Sequence, residues 1–333
     1  MLIPGMECYA FPSYTIQPPG KSVPSFRRCP EFWPEASTML NRTSATFLLV
    51  TATMLWGFAF IAQKSAMQFM GPATFIGARY LLGGIVILPL ALIEYRRRSK
   101  QLSARQWALL AFLSLNFLVG SYLQQRGLLI TTVTNGGFLT GFYVFFVPVI
   151  LLFVFRIKPH PIVWVCAPLA LVGLYFLNGA KLDGLNSGDA LIIASAVFWA
   201  LHVLLLGHLA RETGLPIFIS CVSFLAGGAV ASTGSLIFEA PTLSALSSGW
   251  IEIAYAGILS TAVAFTLQAI GQVHVPPANA AIILSGEALF AALGGAVVLG
   301  ERLLPLGYFG AAIILCAIVL VETVPALRRR PQP

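Results

Sequence analysis

Apolar residues run through this chain in blocks of about twenty, separated by short polar or basic stretches, and no block shows the strict alternation of a strand. The first half holds Ser44 to Lys64, Pro72 to Ile93, Ala104 to Gln124, Thr132 to Phe155 and Pro161 to Leu177. The second holds Ala190 to Leu209, Pro216 to Phe238, Ile251 to Gln272, Pro277 to Leu299 and Pro305 to Glu322. A helix crossing a bilayer needs about 20 apolar residues and a barrel strand about ten. The pattern therefore predicts ten transmembrane helices and no strands.

The two halves are copies. Tyr122-Leu123-Gln124-Gln125-Arg126-Gly127 lies over Thr266-Leu267-Gln268-Ala269-Ile270-Gly271 at an offset of 144 residues, and the same offset carries Asn135 onto Asn279 and Pro161 onto Pro305. Backward along the chain, Pro72 falls on Pro216 and Gly83-Gly84 on Gly227-Gly228, while Trp56 and Trp199 miss by one residue. Five spans per copy is an odd number, so the copies must face opposite ways across the bilayer. Inverted repeats of this kind are the plan of many secondary transporters, with the substrate near the midplane.

Composition agrees with lipid as the main solvent. Hydrophobic residues make up 58% and charged residues 10% of the chain, with a mean hydropathy of +0.85, where soluble domains are about one quarter charged. The fold class expected is an all-α integral membrane protein.

The charges add orientation. With the N-terminus inside, fifteen of the 20 Lys and Arg residues fall on the cytoplasmic side, among them Arg96, Arg97 and Arg98, Arg156, Lys158, Arg211, and Arg328, Arg329 and Arg330. Lys64, Arg126, Lys181 and Arg302 fall outside, and Arg79 lies within the second span. Equivalent loops carry opposite signatures: Glu94-Tyr95-Arg96-Arg97-Arg98 follows span two, whereas Glu239 to Gly249 after span seven contains no Lys or Arg. Both termini are expected in the cytoplasm, and the net charge of +8 is a topology signal. Short juxtamembrane basic clusters without a soluble domain argue against a nucleic-acid partner.

The division expected is a tail of residues 1–43, a first repeat over 44–178, a second over 188–324 and a basic cytoplasmic end over 325–333. Seven of the 21 prolines fall in the first 38 residues, which predicts disorder there. Met39-Leu40-Asn41-Arg42 also reads as a natural translation start, a point that intact mass spectrometry decides. Cys8 and Cys29 lie in the tail and Cys166, Cys221 and Cys316 in separate spans, so no ligand spacing suggests a metal, and no cofactor motif is found.

Several stretches resemble the drug/metabolite transporter superfamily, specifically its EamA-type permeases of ten helices in two five-helix repeats. They are Leu55-Trp56-Gly57 with Phe60, Pro72 to Phe75 followed by Arg79, and Gly286-Glu287-Ala288-Leu289 followed by Leu299-Gly300-Glu301-Arg302. The resemblance covers roughly residues 44 to 323. The family commonly has proline where this chain has Ala288, and Ile157-Lys158 stands at the first-repeat place of Glu301-Arg302. The resemblance implies an exporter or exchanger of metabolites such as amino acids in a bacterial inner membrane; a cationic drug or nucleotide sugar is the rival cargo.

The polar groups inside the spans nominate a site. A charge at mid-membrane costs roughly 3 kcal/mol on insertion scales, so an intramembrane ionisable group is a functional candidate. Glu287, about ten residues into its span, could bind a coupling proton or a substrate amine, or hydrogen-bond a neighbouring helix. Arg79 could clamp a substrate carboxylate through its fork of donors, or pair with a carboxylate such as Glu287, or satisfy loop carbonyls. Tyr143 is the repeat equivalent of Glu287 and completes a pair about the pseudo-two-fold axis. Asn135 and Asn279 are equivalents that fit helix-interface hydrogen bonding as well as substrate contact. Trp56 and Trp199 are candidate apolar walls, and His202 lies on nearly the same helical face as Trp199. Gln124 and Gln268 repeat the same choice near span ends.

Two function classes follow. A secondary transporter driven by a gradient is favoured, with protons a candidate coupling ion, because no GxxxxGK[ST] nucleotide loop is present. The second class is an intramembrane enzyme or a non-transporting membrane scaffold; an enzyme would need a convergent catalytic set, and no HExxH, GxSxG or paired intramembrane aspartates occur.

Overall fold

The structure is a computed structural model that describes residues 41–98, 101–180, 186–298 and 305–328. Residues 1–40, Lys181, the stretch Leu299-Gly300-Glu301-Arg302 and residues 329–333, on which several expectations fell, lie outside the described residues.

The described chain forms α1 (Arg42–Ala66), α2 (Pro72–Arg96), α3 (Ala104–Ile130), α4 (Val133–Thr140), α5 (Tyr143–Phe153) and α6 (Val163–Leu177). The second half forms α7 (Ser187–Thr213), α8 (Pro216–Phe238), α9 (Leu243–Ser248), α10 (Trp250–Ala254), a π-helical segment Tyr255–Phe265, α11 (Thr266–His274), α12 (Pro277–Leu284), α13 (Glu287–Val298) and α14 (Pro305–Arg328). Nine helical stretches among the described residues are long and apolar enough to cross a membrane, and α6 is a shorter apolar tenth. The protein is thus a multi-pass, all-α membrane protein.

Four spans depart from the uniform helices expected. The fourth breaks between α4 and α5, where Phe142 N donates to Leu139 O (3.2 Å) and Val144 N to Gly141 O (3.1 Å) in tight i to i+3 turns. The ninth breaks between α12 and α13 in the same way, with Gly286 N on Ile283 O and Leu289 N on Gly286 O, both at 3.0 Å. The eighth is continuous but passes through the eleven-residue π segment. The fifth starts late because Val163 N closes a turn onto His160 O at 2.9 Å.

The inversion is visible in how α2 meets α8. The first N–H groups of a helix lack intrahelical partners and carry partial positive charge. Glu94, near the end of α2, accepts from Phe218 N at 2.7 Å in the first turn of α8. Glu239, just past the end of α8, accepts from Ala73 N (2.9 Å) and Thr74 N (2.8 Å) in the first turn of α2. Equivalent helices of the two repeats therefore run antiparallel, each capping the other. They touch closely midway: a Cβ on Gly228 would lie 2.9 Å from Leu81 N, and one on Gly84 2.6 Å from Leu225 Cδ2.

Other ties repeat within each copy. Lys64, in the last turn of α1, donates to the carbonyls of Leu128 (2.5 Å), Leu129 (3.4 Å) and Thr131 (2.9 Å) at the end of α3. Arg211, in the last turn of α7, donates to those of Gln272 (2.9 Å), Val273 (2.6 Å) and Val275 (2.8 Å) at the end of α11. The three carbonyls in one repeat are the 144-residue equivalents of the three in the other. Arg42 and Glu322 pair at 3.1 Å between α1 and α14, with Thr46 Oγ1 donating to the same carboxylate at 3.2 Å.

Candidate functional site

One cavity at the centre of the bundle gathers most of the polar groups nominated above. It is lined from α1 by Trp56, Phe60 and Gln63, from α2 by Arg79, from α3 by Gln124, and from the two broken spans by Thr140, Tyr143, Leu284 and Glu287. The far wall is Trp199, His202 and Val203 of α7 with Ser260, Phe265 and Gln268 of the eighth span. Its volume is about 50 Å³. One water needs about 10–15 Å³ on that measure, so the cavity as it stands has room for a few waters.

Six of the eight nominated residues line it: Glu287, Tyr143, Arg79, Trp56, Trp199 and His202. Asn135 and Asn279 do not. Asn135 Oδ1 accepts from Asn178 Nδ2 at 3.1 Å, and Asn279 Nδ2 donates to Val321 O at 2.9 Å. Each ties the fourth or ninth span to the span that follows it.

Arg79 is 3% exposed, and no carboxylate among the described residues lies within ion-pair distance of it. The expected alternative of an Arg79–Glu287 pair is therefore not what the side chains do. Its Nη2 donates to the Tyr80 hydroxyl at 3.1 Å, its guanidinium carbon sits 4.7 Å from the Tyr80 ring centroid and 5.4 Å from that of Phe75, and its Nε has no partner. Cation–π contacts of this kind return about 0.5–2 kcal/mol, less than the several kcal/mol that burying an ion costs. The guanidinium is thus held in place and left under-compensated.

Glu287 is 6% exposed and opens α13. The Tyr143 hydroxyl lies close enough to interact with its carboxyl, and Oε1 has no protein partner. Gly57 lets α1 lie directly against the first turn of α13, since a Cβ there would lie 2.7 Å from the Glu287 backbone carbonyl oxygen and 2.6 Å from Ala291 N. That is the packing reason for glycine after Trp56.

The walls are aromatic. Trp56 Nε1 donates to Ser260 O at 3.0 Å, inside the π segment, and its ring lies 4.6 Å from Phe265. Trp199 stacks against the same Phe265 at 5.8 Å and 17°. Phe60, Gln63, Thr140, Ser260 and Phe265 were not nominated from sequence. Phe60 and Gln63 follow Trp56 at i+4 and i+7, a helical-face signal that was available, whereas Ser260 and Phe265 depend on the π geometry, which has no sequence signature.

A family model for the EamA-like transporter family matches the chain twice, over residues 43–179 and 186–323. The chain belongs to this family. EamA membership thus covers both repeats and all of the cavity. A protein of Archaeoglobus fulgidus described as an uncharacterized transporter is 30% identical to this EamA chain over 85% of it and 87% of the relative. A threonine/homoserine exporter, RhtA of Escherichia coli, is 29% identical over 48% of this chain and 54% of its own. A crystal structure at 18% identity superposes with a TM-score of 0.71, covering 87% of the EamA chain described here and 100% of that chain, a likeness of fold.

Proposed function

We propose that this EamA-family transporter is a secondary active exporter or exchanger of small zwitterionic metabolites such as amino acids. The observation that carries this reading is that one cavity buries a guanidinium and a carboxyl that do not pair with each other. A zwitterion supplies both missing charges: its carboxylate meets Arg79 and its ammonium meets Glu287 and the Tyr143 hydroxyl, with Trp56 and Phe265 as apolar walls. Glu287 is also the group placed to exchange the ammonium for a coupling proton. The relatives described as threonine/homoserine exporters support an amino-acid cargo and an outward direction.

Alternating access in this reading is motion of the two inverted repeats about the cavity. The membrane in this reading is a bacterial inner membrane, as for a relative of Escherichia coli described as an uncharacterized inner membrane transporter, and the distribution of Lys and Arg favours both termini on the cytoplasmic side.

The test is counterflow in proteoliposomes with a panel of radiolabelled amino acids, organic cations and nucleotide sugars across imposed pH gradients. Exchange of amino acids that is lost in Arg79→Ala supports the reading. Exchange of cations or nucleotide sugars in place of amino acids overturns it.

A further inference from the structure

The charged groups account for only part of the cavity's polar lining. Trp199 and His202, one turn apart on α7, line it too, with Gln268 of α11 beside the imidazole. All are inside the bundle, and Trp199 Nε1, both His202 ring nitrogens and Gln268 Oε1 lack any firm protein partner. Gln268 lies within interaction range of the imidazole, so the two can satisfy one nitrogen between them. A neutral imidazole offers one donor and one acceptor, and an indole only a donor. What is left over once Gln268 serves one nitrogen is a second imidazole nitrogen and the Trp199 N–H.

The repeat explains why these groups are unspent. In the first copy Gln124 Nε2 donates to Thr140 Oγ1 at 2.9 Å, and Thr140 in turn donates to Gly136 O at 2.7 Å. In the second copy the equivalents are Gln268 and Leu284, and leucine can take no hydrogen bond. Ala59 or Phe58 stands where His202 stands. One copy closes its polar groups on itself and the other turns them into the cavity.

We propose that Trp199, His202 and Gln268 form a side-chain specificity pocket that selects a zwitterion bearing a hydroxyl. A hydroxyl both donates and accepts, so it can take the Trp199 N–H and give its own proton to the imidazole nitrogen or the Gln268 oxygen. An aliphatic side chain of the same shape leaves both groups buried and unpaired, which a site built for hydrogen bonding rejects strongly. This inference rests on the zwitterion reading above.

Threonine and valine are the probes, since they differ by a hydroxyl in place of a methyl. Counterflow by the full chain in proteoliposomes should favour threonine over valine by at least about tenfold. The ratio should fall toward one in Gln268→Leu and in Trp199→Phe, with melting temperature in detergent reporting that each variant is folded. Equal transport of the two amino acids by the unaltered protein overturns the pocket while leaving the zwitterion reading intact. A preference for threonine that persists in both folded variants overturns the assignment to these residues. Transport of neither amino acid, with flux of a cation or nucleotide sugar, overturns both readings together.

Discussion

Tyr143 and Glu287 stand 144 positions apart, each as the first residue of the second half of a broken span, and their side chains meet at the same cavity. The two copies thus agree in backbone at this pair and differ in chemistry there, as they do at Thr140 and Leu284. Glu287→Gln keeps the shape and removes the ionisable group. It is expected to slow exchange by about ten- to a hundredfold, the worth of a hydrogen bond to a charged group, and to flatten the dependence of transport on pH. A pH profile unchanged from that of the unaltered protein would reject the coupling role.

Arg79 tests the other pole. Lysine retains the charge but lacks the planar fork, and it cannot keep both the Tyr80 contact and a two-point grip on a carboxylate. Arg79→Lys is expected to raise KM by about tenfold or more, with a smaller effect on the maximal rate. Initial-rate measurements in proteoliposomes separate the two.

The reciprocal caps make a stability prediction. Removing either carboxylate leaves first-turn N–H groups without their acceptor, so Glu94→Ala and Glu239→Ala should each destabilise the fold by about 1–2 kcal/mol. The two caps sit at opposite ends of 25-residue α2, about 30 Å apart by helical rise, so their effects should add. Thermal unfolding in detergent of both single variants and the double variant checks this; strong non-additivity would mean that the ends of the α2–α8 pair communicate.

Gly57 presses α1 against the backbone of α13 at Glu287. The neighbours of an added Cβ are Phe290 Cβ and the backbone atoms Ala291 N and Glu287 O, none of which can turn aside without moving the helix, so Gly57→Ala should cost about 1–3 kcal/mol through overpacking. It should also lower exchange in protein that remains folded, because the carboxyl moves with its helix. A variant that matches the unaltered protein in both melting temperature and rate would show that α1 yields easily.

Much of this was legible in the sequence because lipid leaves few options. Apolar blocks of spanning length, the offset of 144 and the contrast between the loops after Arg96 and Phe238 led to ten helices in two inverted copies, and the same offset pointed to Tyr143 and Glu287. The breaks at Gly141 and Ser285-Gly286 carry no proline, and isolated glycines are common in membrane helices, so hydropathy passes straight over them. The π segment is likewise an ordinary apolar run in the sequence, with nothing to mark that Trp56 Nε1 would meet Ser260 O inside it. Asn135 and Asn279 could not be resolved from sequence between a cavity and a helix interface, because the same amide serves both. Lys64 and Arg211 escaped notice as equivalents because they are 147 positions apart while the carbonyls they bind are 144 apart.

Those two cations have a consequence for how the protein is made. Lys64 finds its three carbonyls within the first repeat, and Arg211 finds its own within the second. Neither needs the sibling copy. Each tie can therefore form within its own half, but it joins only two helices: α1, α2 and α3 pack chiefly on α13, α8 and α7 of the other copy. The halves are clipped separately and closed only by each other, so the central cavity is the last thing to exist.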